Sequence, residues 1–473
     1  MSKVQLPLLY DFVFPNGMVA NALQTELAMV NYLFALNTNS RYTTNGFFEQ
    51  NIPTGSDSST PTTFMFGHSY GTWPNSAPGS HLEGGPCMDL VEVHNDSLYF
   101  GRRKYQKYIY PIKVSPHLDA FAGANFNDTK IVGNFFWKYM STEALEDVKS
   151  GRAIILLDFA QENFVNHHTF VNLHTAIEFS GIPREQIVLA FNTFNAEEVY
   201  NDWFPEEQRR LTVKSWPFVI SNTSYFYSQT RDGRTEPEQF FASRNTIRPN
   251  HFLFKVRRAR DHRQALIYAM NESGILDKGD WSWLSNVKFE DHFWHQYTTT
   301  YGLELDIDKM RALYQRLPKS LQDEPGDTFD TVSSWTDNQV KSYNNAYFYI
   351  CTETYTDGPY KSVTEKICKP IGNYMPFVFS SFPGALQLLR DMGFKTFNGF
   401  IDESYDLEKD TVRRVKMIYK EIEKLCKMSR EELHKWYWSM EDILIHNREH
   451  LLTLYKTDKT TESFIKFLED RVK

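Results

Sequence analysis

Arg152-Ala153-Ile154-Ile155-Leu156-Leu157-Asp158 is an unbroken apolar run with a charge at each end. A short aliphatic run without polar alternation reads as a strand buried on both faces. That is the pattern of a parallel sheet covered by helices. The flanks agree. Lys130 to Trp137 reads as an apolar strand, and the stretch opening at Ser141 reads as a helix that Gly151 stops. Downstream, a helix near His168 to Ser180 ends at Gly181, Gln186 to Phe191 is a strand, and Asn195 caps a helix over Ala196 to Trp203. Strand alternating with helix at this spacing predicts a Rossmann-like domain over 126–220.

A second α/β set follows. Residues 221–245 are polar, carry Gly233 and Pro237, and read as a crossover. His251 to Val256 is then a strand and His262 to Glu272 a helix. Ala346 to Ile350 and Phe377 to Phe379 are further strands. Ala385 to Met392 is a helix stopped by Gly393, and Phe394 to Phe397 a short strand. Near the end, Val412, Val415, Ile418, Ile422 and Leu425 recur at helical spacing, and Ser429-Arg430-Glu431-Glu432 has the form of a capping box.

The domains expected are therefore 1–245, 246–420, and 421–473 as C-terminal helices packing back on the body. Within the first, 1–125 is irregular. Leu8 to Phe14 and Leu98 to Phe100 look like strands, Asn21 to Leu36 like a helix, and Pro53 to Pro86 like a long functional loop. Two Rossmann-like halves facing across a cleft would bind ligands at the C-terminal ends of their strands.

The chain has 473 residues, 41% hydrophobic and 23% charged, which suits two globular domains. The net charge of −8 argues against a protein that coats nucleic acid or an anionic membrane. Four scattered cysteines, Cys87, Cys351, Cys368 and Cys426, form no CxxC pair and fit a reducing compartment. No run approaches the roughly 18 apolar residues of a membrane helix, and the N-terminus has no signal-peptide pattern. A cytoplasmic location is expected.

Chemistry concentrates in two stretches. In Tyr360-Lys361-Ser362-Val363-Thr364-Glu365-Lys366, a loop turns into a helix. Thr364 can cap that helix, Glu365 can accept from a ribose diol, and Lys366 can set a point charge on a diphosphate beside the N–H groups of the helix start. The second stretch, Lys255-Val256-Arg257-Arg258-Ala259-Arg260-Asp261-His262-Arg263, follows a strand and opens a helix. An arginine fork there fits two phosphate oxygens; the alternative is a solvated basic face or an ion-pair network.

These two stretches, with Tyr347-Phe348-Tyr349-Ile350-Cys351-Thr352-Glu353-Thr354 between them, resemble the donor-binding half of GT-B glycosyltransferases. The alpha-1,3-fucosyltransferases and glycosyltransferase-like proteins of phage and giant viruses are the nearest in pattern. The resemblance spans roughly residues 250–405. It implies a glycosyltransferase with a GT-B fold, acting on a UDP- or GDP-sugar as substrate, with no tightly bound cofactor and no metal. It also implies that Arg258 or Arg257 contacts the donor diphosphate, with Arg263 nearby, that Thr364, Glu365 and Lys366 hold ribose and phosphates, and that Glu353 and Thr354 lie beside the sugar. Two departures stand out. The fucosyltransferases carry a Phe-Glu-Asn type of sequence where this chain has Thr352-Glu353-Thr354, and Pro370 should break or kink the helix after Lys366.

Inverting transfer needs a carboxylate to take the acceptor proton. Asp158 and Glu162, after the 152–158 strand, are the candidates; a turn residue and a surface loop are the alternatives. Asp306-Ile307-Asp308 reads as a helix start rather than a metal site. His167, His168 and His174 match no common zinc spacing. Arg102-Arg103-Lys104 and Lys107, among aromatics, could track a phosphate backbone or a glycan, or form a solvated strand edge. The acceptor is then a glycan or lipid precursor, or a hydroxymethylated DNA base. A noncatalytic sugar-nucleotide or nucleic-acid binding protein on the same fold is the alternative.

Overall fold

The computed structural model of the chain describes residues 3–10, 48–52, 62–66, 82, 85–89, 91–114, 140–160, 167–209, 211–231, 233–284, 291–321 and 340–473. The expected helix at 21–36, the expected strand at 130–137 and Glu162 lie outside the described residues. The chain divides into two compact α/β units. Unit 1 is Met1–Val219 with Asp458–Lys473, and unit 2 is Ile220–Thr457. The division thus falls at 219 and 457, where the sequence suggested 245 and 420.

Unit 1 is built on a mixed sheet. Strands β1 (Val4–Tyr10), β4 (Val91–Ser97), β5 (Tyr108–Val114), β6 (Ala153–Phe159), β7 (Ile187–Phe191) and β8 (Thr212–Ser215) run parallel in the order β4-β1-β5-β6-β7-β8. An antiparallel pair, β2 (Phe48–Ile52) and β3 (Thr62–Phe66), joins the end of β5 through Phe64 and Val114. Thr62–Phe66 lies inside the stretch read as one long loop, so that reading is corrected there. Every residue of β6 and β7 is buried, as their unbroken apolar runs require.

Among the helices of unit 1 are α1 (Leu98–Lys104), α2 (Thr142–Lys149), α3 (His167–Ser180) and α4 (Ala196–Trp203). The expected strand at Leu98 to Phe100 is therefore the first turn of a helix. Its basic end is fixed from outside: Arg102 makes two bonds to the buried Asp147 of α2, at 2.7 and 2.8 Å, and the Tyr108 hydroxyl donates to the same carboxylate at 2.8 Å. Ser141 caps α2 by accepting from the Ala144 N–H. Asn195 occupies the cap position of α4 without a side-chain capping bond; Ser215, at the end of β8, accepts from the Ala196 N–H at 3.0 Å instead.

Unit 2 carries a four-stranded sheet of β9 (Asn250–Val256), β10 (Asp280–Trp283), β11 (Ala346–Thr352) and β12 (Phe377–Ser380), in the order β10-β9-β11-β12. All neighbours are parallel, with Leu253 beside Tyr349 and Thr352 beside Ser380, so the four C-terminal ends share one edge. Each of β10, β11 and β12 is buried throughout. Helix α5 (Asp261–Glu272) follows β9, α6 (Ile307–Tyr314) follows later, and α7 (Glu365–Gly372) and α8 (Ala385–Asp391) flank β12 in sequence. Then come α9 (Thr411–Lys427), α10 (Arg430–Trp438) and α11 (Glu441–Thr453).

Several expectations shift here. The polar 221–245 stretch is partly helical, over Phe218–Gln229 and Pro237–Ala242. Pro370 does not stop α7 at once; the helix runs two residues further and ends at Asn373. Phe394 to Phe397 form no strand. The Glu403 carboxylate accepts from the Phe397 N–H and the Thr396 hydroxyl and fixes an irregular turn. The stripe on α9 buries Val415, Ile418, Ile422 and Leu425, and α9 packs on α5 and β12. Ser429 and Glu432 form the capping box of α10. Gly393 sits at φ 95°, where a Cβ would meet the His450 ring at 2.8 Å, so only glycine fits.

The last helix, α12 (Lys459–Val472), packs on β1 and β8 of unit 1, with Phe464 stacked on Trp216 at 4.7 Å. Among the described residues no helix is long and apolar enough to cross a membrane.

Candidate functional site

The shared C-terminal edge of the unit 2 sheet gathers the two stretches that the sequence singled out. After β11 the chain enters a loop, 353–364, whose ends are tied together. Thr364 donates its N–H to Glu353 Oε1 at 3.0 Å, and its hydroxyl lies 2.9 Å from Oε2. Glu353 is 2% exposed. A carboxylate so buried must be bonded, because leaving it bare would cost several kcal/mol. Thr364 is also the N-cap of α7, where its oxygen accepts from the Lys366 N–H. One threonine thus joins the end of β11 to the start of α7.

Lys366 lies within this knot. Its Nζ is 3.0 Å from Thr364 Oγ1, 3.0 Å from Glu365 Oε1 and 3.7 Å from Glu353 Oε2. The lysine side chain is 28% exposed and that of Glu365 18%. Burial acts to raise the Glu365 pKa, but Lys366 and Lys369 outweigh it and hold the carboxyl below its ordinary value. Burial likewise acts to lower Lys366, and Glu365 and Glu353 outweigh it, so the ammonium is held above its ordinary value. The pair is charged at neutral pH and sits at the positive end of a helix. Glu365 and Lys366 are together where the sequence placed them.

The arginine cluster is divided. Arg257 and Arg258 are exposed just beyond β9. Arg263, on α5, is 5% exposed and donates to three backbone carbonyls: Thr352 at 3.0 Å, Glu353 at 2.9 Å and Arg258 at 3.2 Å. It brackets the loop after β9 to the loop after β11, with its guanidinium turned onto main chain. His262 does the same with one bond, Nε2 to the Glu353 carbonyl at 3.0 Å. Burial, then Arg263, push its pKa down to about 3, so it is neutral and donates at Nε2. Thr354, next to Glu353, is half-buried.

Arg260 was passed over in the sequence. It holds the N-cap position of α5, its guanidinium stands 5.8 Å from the Tyr355 ring, and its Nε is buried without a hydrogen-bond partner. The only sequence signal for it was membership of the basic run. A second missed group is Glu403-Ser404-Tyr405-Asp406. The Asp406 carboxylate accepts from the Leu386 and Gln387 N–H groups at the start of α8, and the Tyr405 hydroxyl accepts from the Phe379 N–H. The α8 terminus is therefore already filled by a carboxylate, whereas the α7 terminus carries a lysine.

The remaining candidates fall elsewhere. Asp158, at the end of β6, is fully buried and its Oδ1 accepts from the Ala160 N–H at 3.0 Å, a turn arrangement. Asp306 caps α6 by accepting from Asp308 and Lys309 N–H groups, the helix-start reading of that motif. His174 is buried against Phe204 and bonded to the Tyr200 hydroxyl at 2.8 Å, while His167 stacks on Phe204 at 4.9 Å. Among the described residues no group of three or more His, Cys, Asp or Glu could hold a metal ion. All four cysteines are buried free thiols.

No family model and no curated protein matches the chain. Among solved structures, trehalose-6-phosphate synthase OtsA aligns at 13% identity over 81% of this chain and 79% of its own, with a TM-score of 0.37. An E. coli trehalose-6-phosphate structure bound with UDP-2-fluoro glucose aligns at 12% identity over 98% of this chain and 99% of its own, with a TM-score of 0.36. An alpha,alpha-trehalose-phosphate synthase (UDP-forming) from Burkholderia vietnamiensis aligns at 10% identity over 75% and 79%, with a TM-score of 0.33. Scores this low carry neither fold nor activity across to this chain.

Proposed function

We propose that the chain is a glycosyltransferase of the GT-B type that moves a sugar from a nucleotide-sugar donor to an acceptor hydroxyl. The observation that carries this reading is the Glu365–Lys366 ion pair at the N-terminus of α7, beside the loop after β9 with its arginines. The C-terminal edge of a parallel sheet is where such folds hold nucleotides.

In this reading Glu365 accepts from the ribose diol, and Lys366 turns from its internal partners to the donor diphosphate. Arg260, Arg257 or Arg258 adds a fork on the phosphates. Arg263, Glu353, Thr354 and Thr364 set the loops that frame the donor. As the sugar's C1–O bond to the diphosphate breaks and the acceptor oxygen bonds to C1, negative charge grows on the departing diphosphate and these cations meet it. The acceptor proton goes to a carboxylate, Glu162 in this reading, with inversion at C1; Asp158 is fully buried and turned onto the Ala160 N–H. The acceptor is a glycan or lipid precursor in preference to a hydroxymethylated DNA base, because Arg102 of the basic stretch is already bound to Asp147.

Turnover of UDP-, GDP- and CMP-sugars tests the proposal. Release of nucleotide from at least one donor is expected, abolished in Glu365→Ala. Nucleotide binding without release or transfer from any donor would favour the noncatalytic alternative.

A further inference from the structure

The loop 353–364 carries two tyrosines, Tyr355 and Tyr360, and Tyr355 is the exposed one. Tyr355 is 49% exposed, while its neighbours in the loop, Glu353 and Thr356, are 2% and 5% exposed. The exposed ring therefore projects from a backbone fixed closely on either side. On one side, Glu353 is held through its carbonyl by Arg263 and His262 and through its carboxylate by Thr364. On the other, the Thr356 carbonyl accepts from Arg414 Nη2 at 2.6 Å. Arg414 is 2% exposed and also donates to the Glu408 carbonyl at 2.6 Å, which ties the loop to the start of α9. Buried guanidinium bonds of this kind fix a backbone far more firmly than surface contacts do.

A tyrosine half in water on a backbone held on either side presents an exposed ring from a fixed point of the loop. Its position explains the arrangement. It stands two residues beyond Glu353, which touches the α7 start carrying Glu365 and Lys366. The Arg260 guanidinium lies 5.8 Å from the ring, within range of a cation–π contact, and its buried Nε has no hydrogen-bond partner. A flat apolar face on the loop after β11 thus has a cation against it at the start of α5 and an acid–lysine pair where the loop enters α7. A nucleoside diphosphate presents matching groups: a planar base, an anionic diphosphate and a ribose diol.

We propose that the Tyr355 ring, backed by Arg260, is the platform on which the base of the nucleoside diphosphate stacks, with Arg414 as the positioning residue that holds the platform. This rests on the donor-binding reading of Glu365 and Lys366. Stacking is tolerant of base identity, so the platform supplies affinity, and choice among bases falls to other groups.

Calorimetry with UDP, GDP and inorganic pyrophosphate on the full chain tests it. Tyr355→Ala should weaken the nucleoside diphosphate that the wild type binds by about tenfold, with pyrophosphate affinity unchanged, and Tyr355→Phe should bind as the wild type does. Arg414→Lys should weaken the same nucleotide, again sparing pyrophosphate; thermal melting reports its folding. Equal nucleotide affinity in Tyr355→Ala and wild type overturns the platform and leaves the donor site standing. A wild type that binds neither nucleotides nor pyrophosphate overturns both.

Discussion

Thr364 holds Glu353 twice, with its N–H on Oε1 at 3.0 Å and its hydroxyl 2.9 Å from Oε2. This joins the end of β11 to the first turn of α7 and gives a buried carboxylate two donors from one residue. Thr364→Val keeps the shape and removes the hydroxyl, so Glu353 loses a donor and α7 loses its cap. The expected destabilisation is about 2–3 kcal/mol, read from urea unfolding. Thr364→Ser should stay within about 1 kcal/mol of wild type. Equal stability of the valine variant would show that the Glu353 contact contributes nothing.

His262 gives a pH signature. Burial, with Arg263 beside it, lowers its pKa from 6.5 to about 3 in the folded chain. The unfolded chain takes up a proton near pH 6.5 that the folded chain refuses until about pH 3. Unfolding is therefore favoured as pH falls through that window, by up to about 1.4 kcal/mol per pH unit. The contribution to stability is fully present above pH 6.5. In His262→Gln, which can still donate to the Glu353 carbonyl, the curve of unfolding free energy between pH 6.5 and 4 should be flatter. Parallel curves for the two proteins would remove His262 from the account.

The Asp147 carboxylate of unit 1 receives both Arg102 and Tyr108. Asp147→Ala leaves the guanidinium and hydroxyl without their acceptor. Arg102 is 28% exposed, so water recovers part of the loss, and about 2 kcal/mol of destabilisation is expected in thermal or urea unfolding. An unchanged melting temperature would mean that Arg102 is free to serve a ligand.

The parts legible in the sequence share a physical origin. β6, β7 and β11 are unbroken apolar runs, and such runs are buried on both faces. Thr364 and Ser429 cap helices through local bonds that depend on near neighbours. The misreadings arise where distant residues decide. Leu98 to Phe100 has strand-like residues, yet it opens a helix whose end is tied to Asp147. Phe394 to Phe397 is fixed as a turn by Glu403. Arg263 has the chemistry of a phosphate fork, but the Thr352 and Glu353 carbonyls, some ninety positions away, take its donors. The Glu365–Lys366 junction was legible because cap, acid and lysine are consecutive.

The central claim is that Lys366 and Glu365 hold a nucleoside diphosphate. Calorimetric titration of UDP and GDP into the wild type and Lys366→Ala tests it most directly. Binding by the wild type to at least one of them is expected. An affinity loss of about tenfold or more should follow removal of the ammonium, with melting of the variant confirming that it is folded. Equal affinity in the two proteins, or no binding by the wild type, would contradict it.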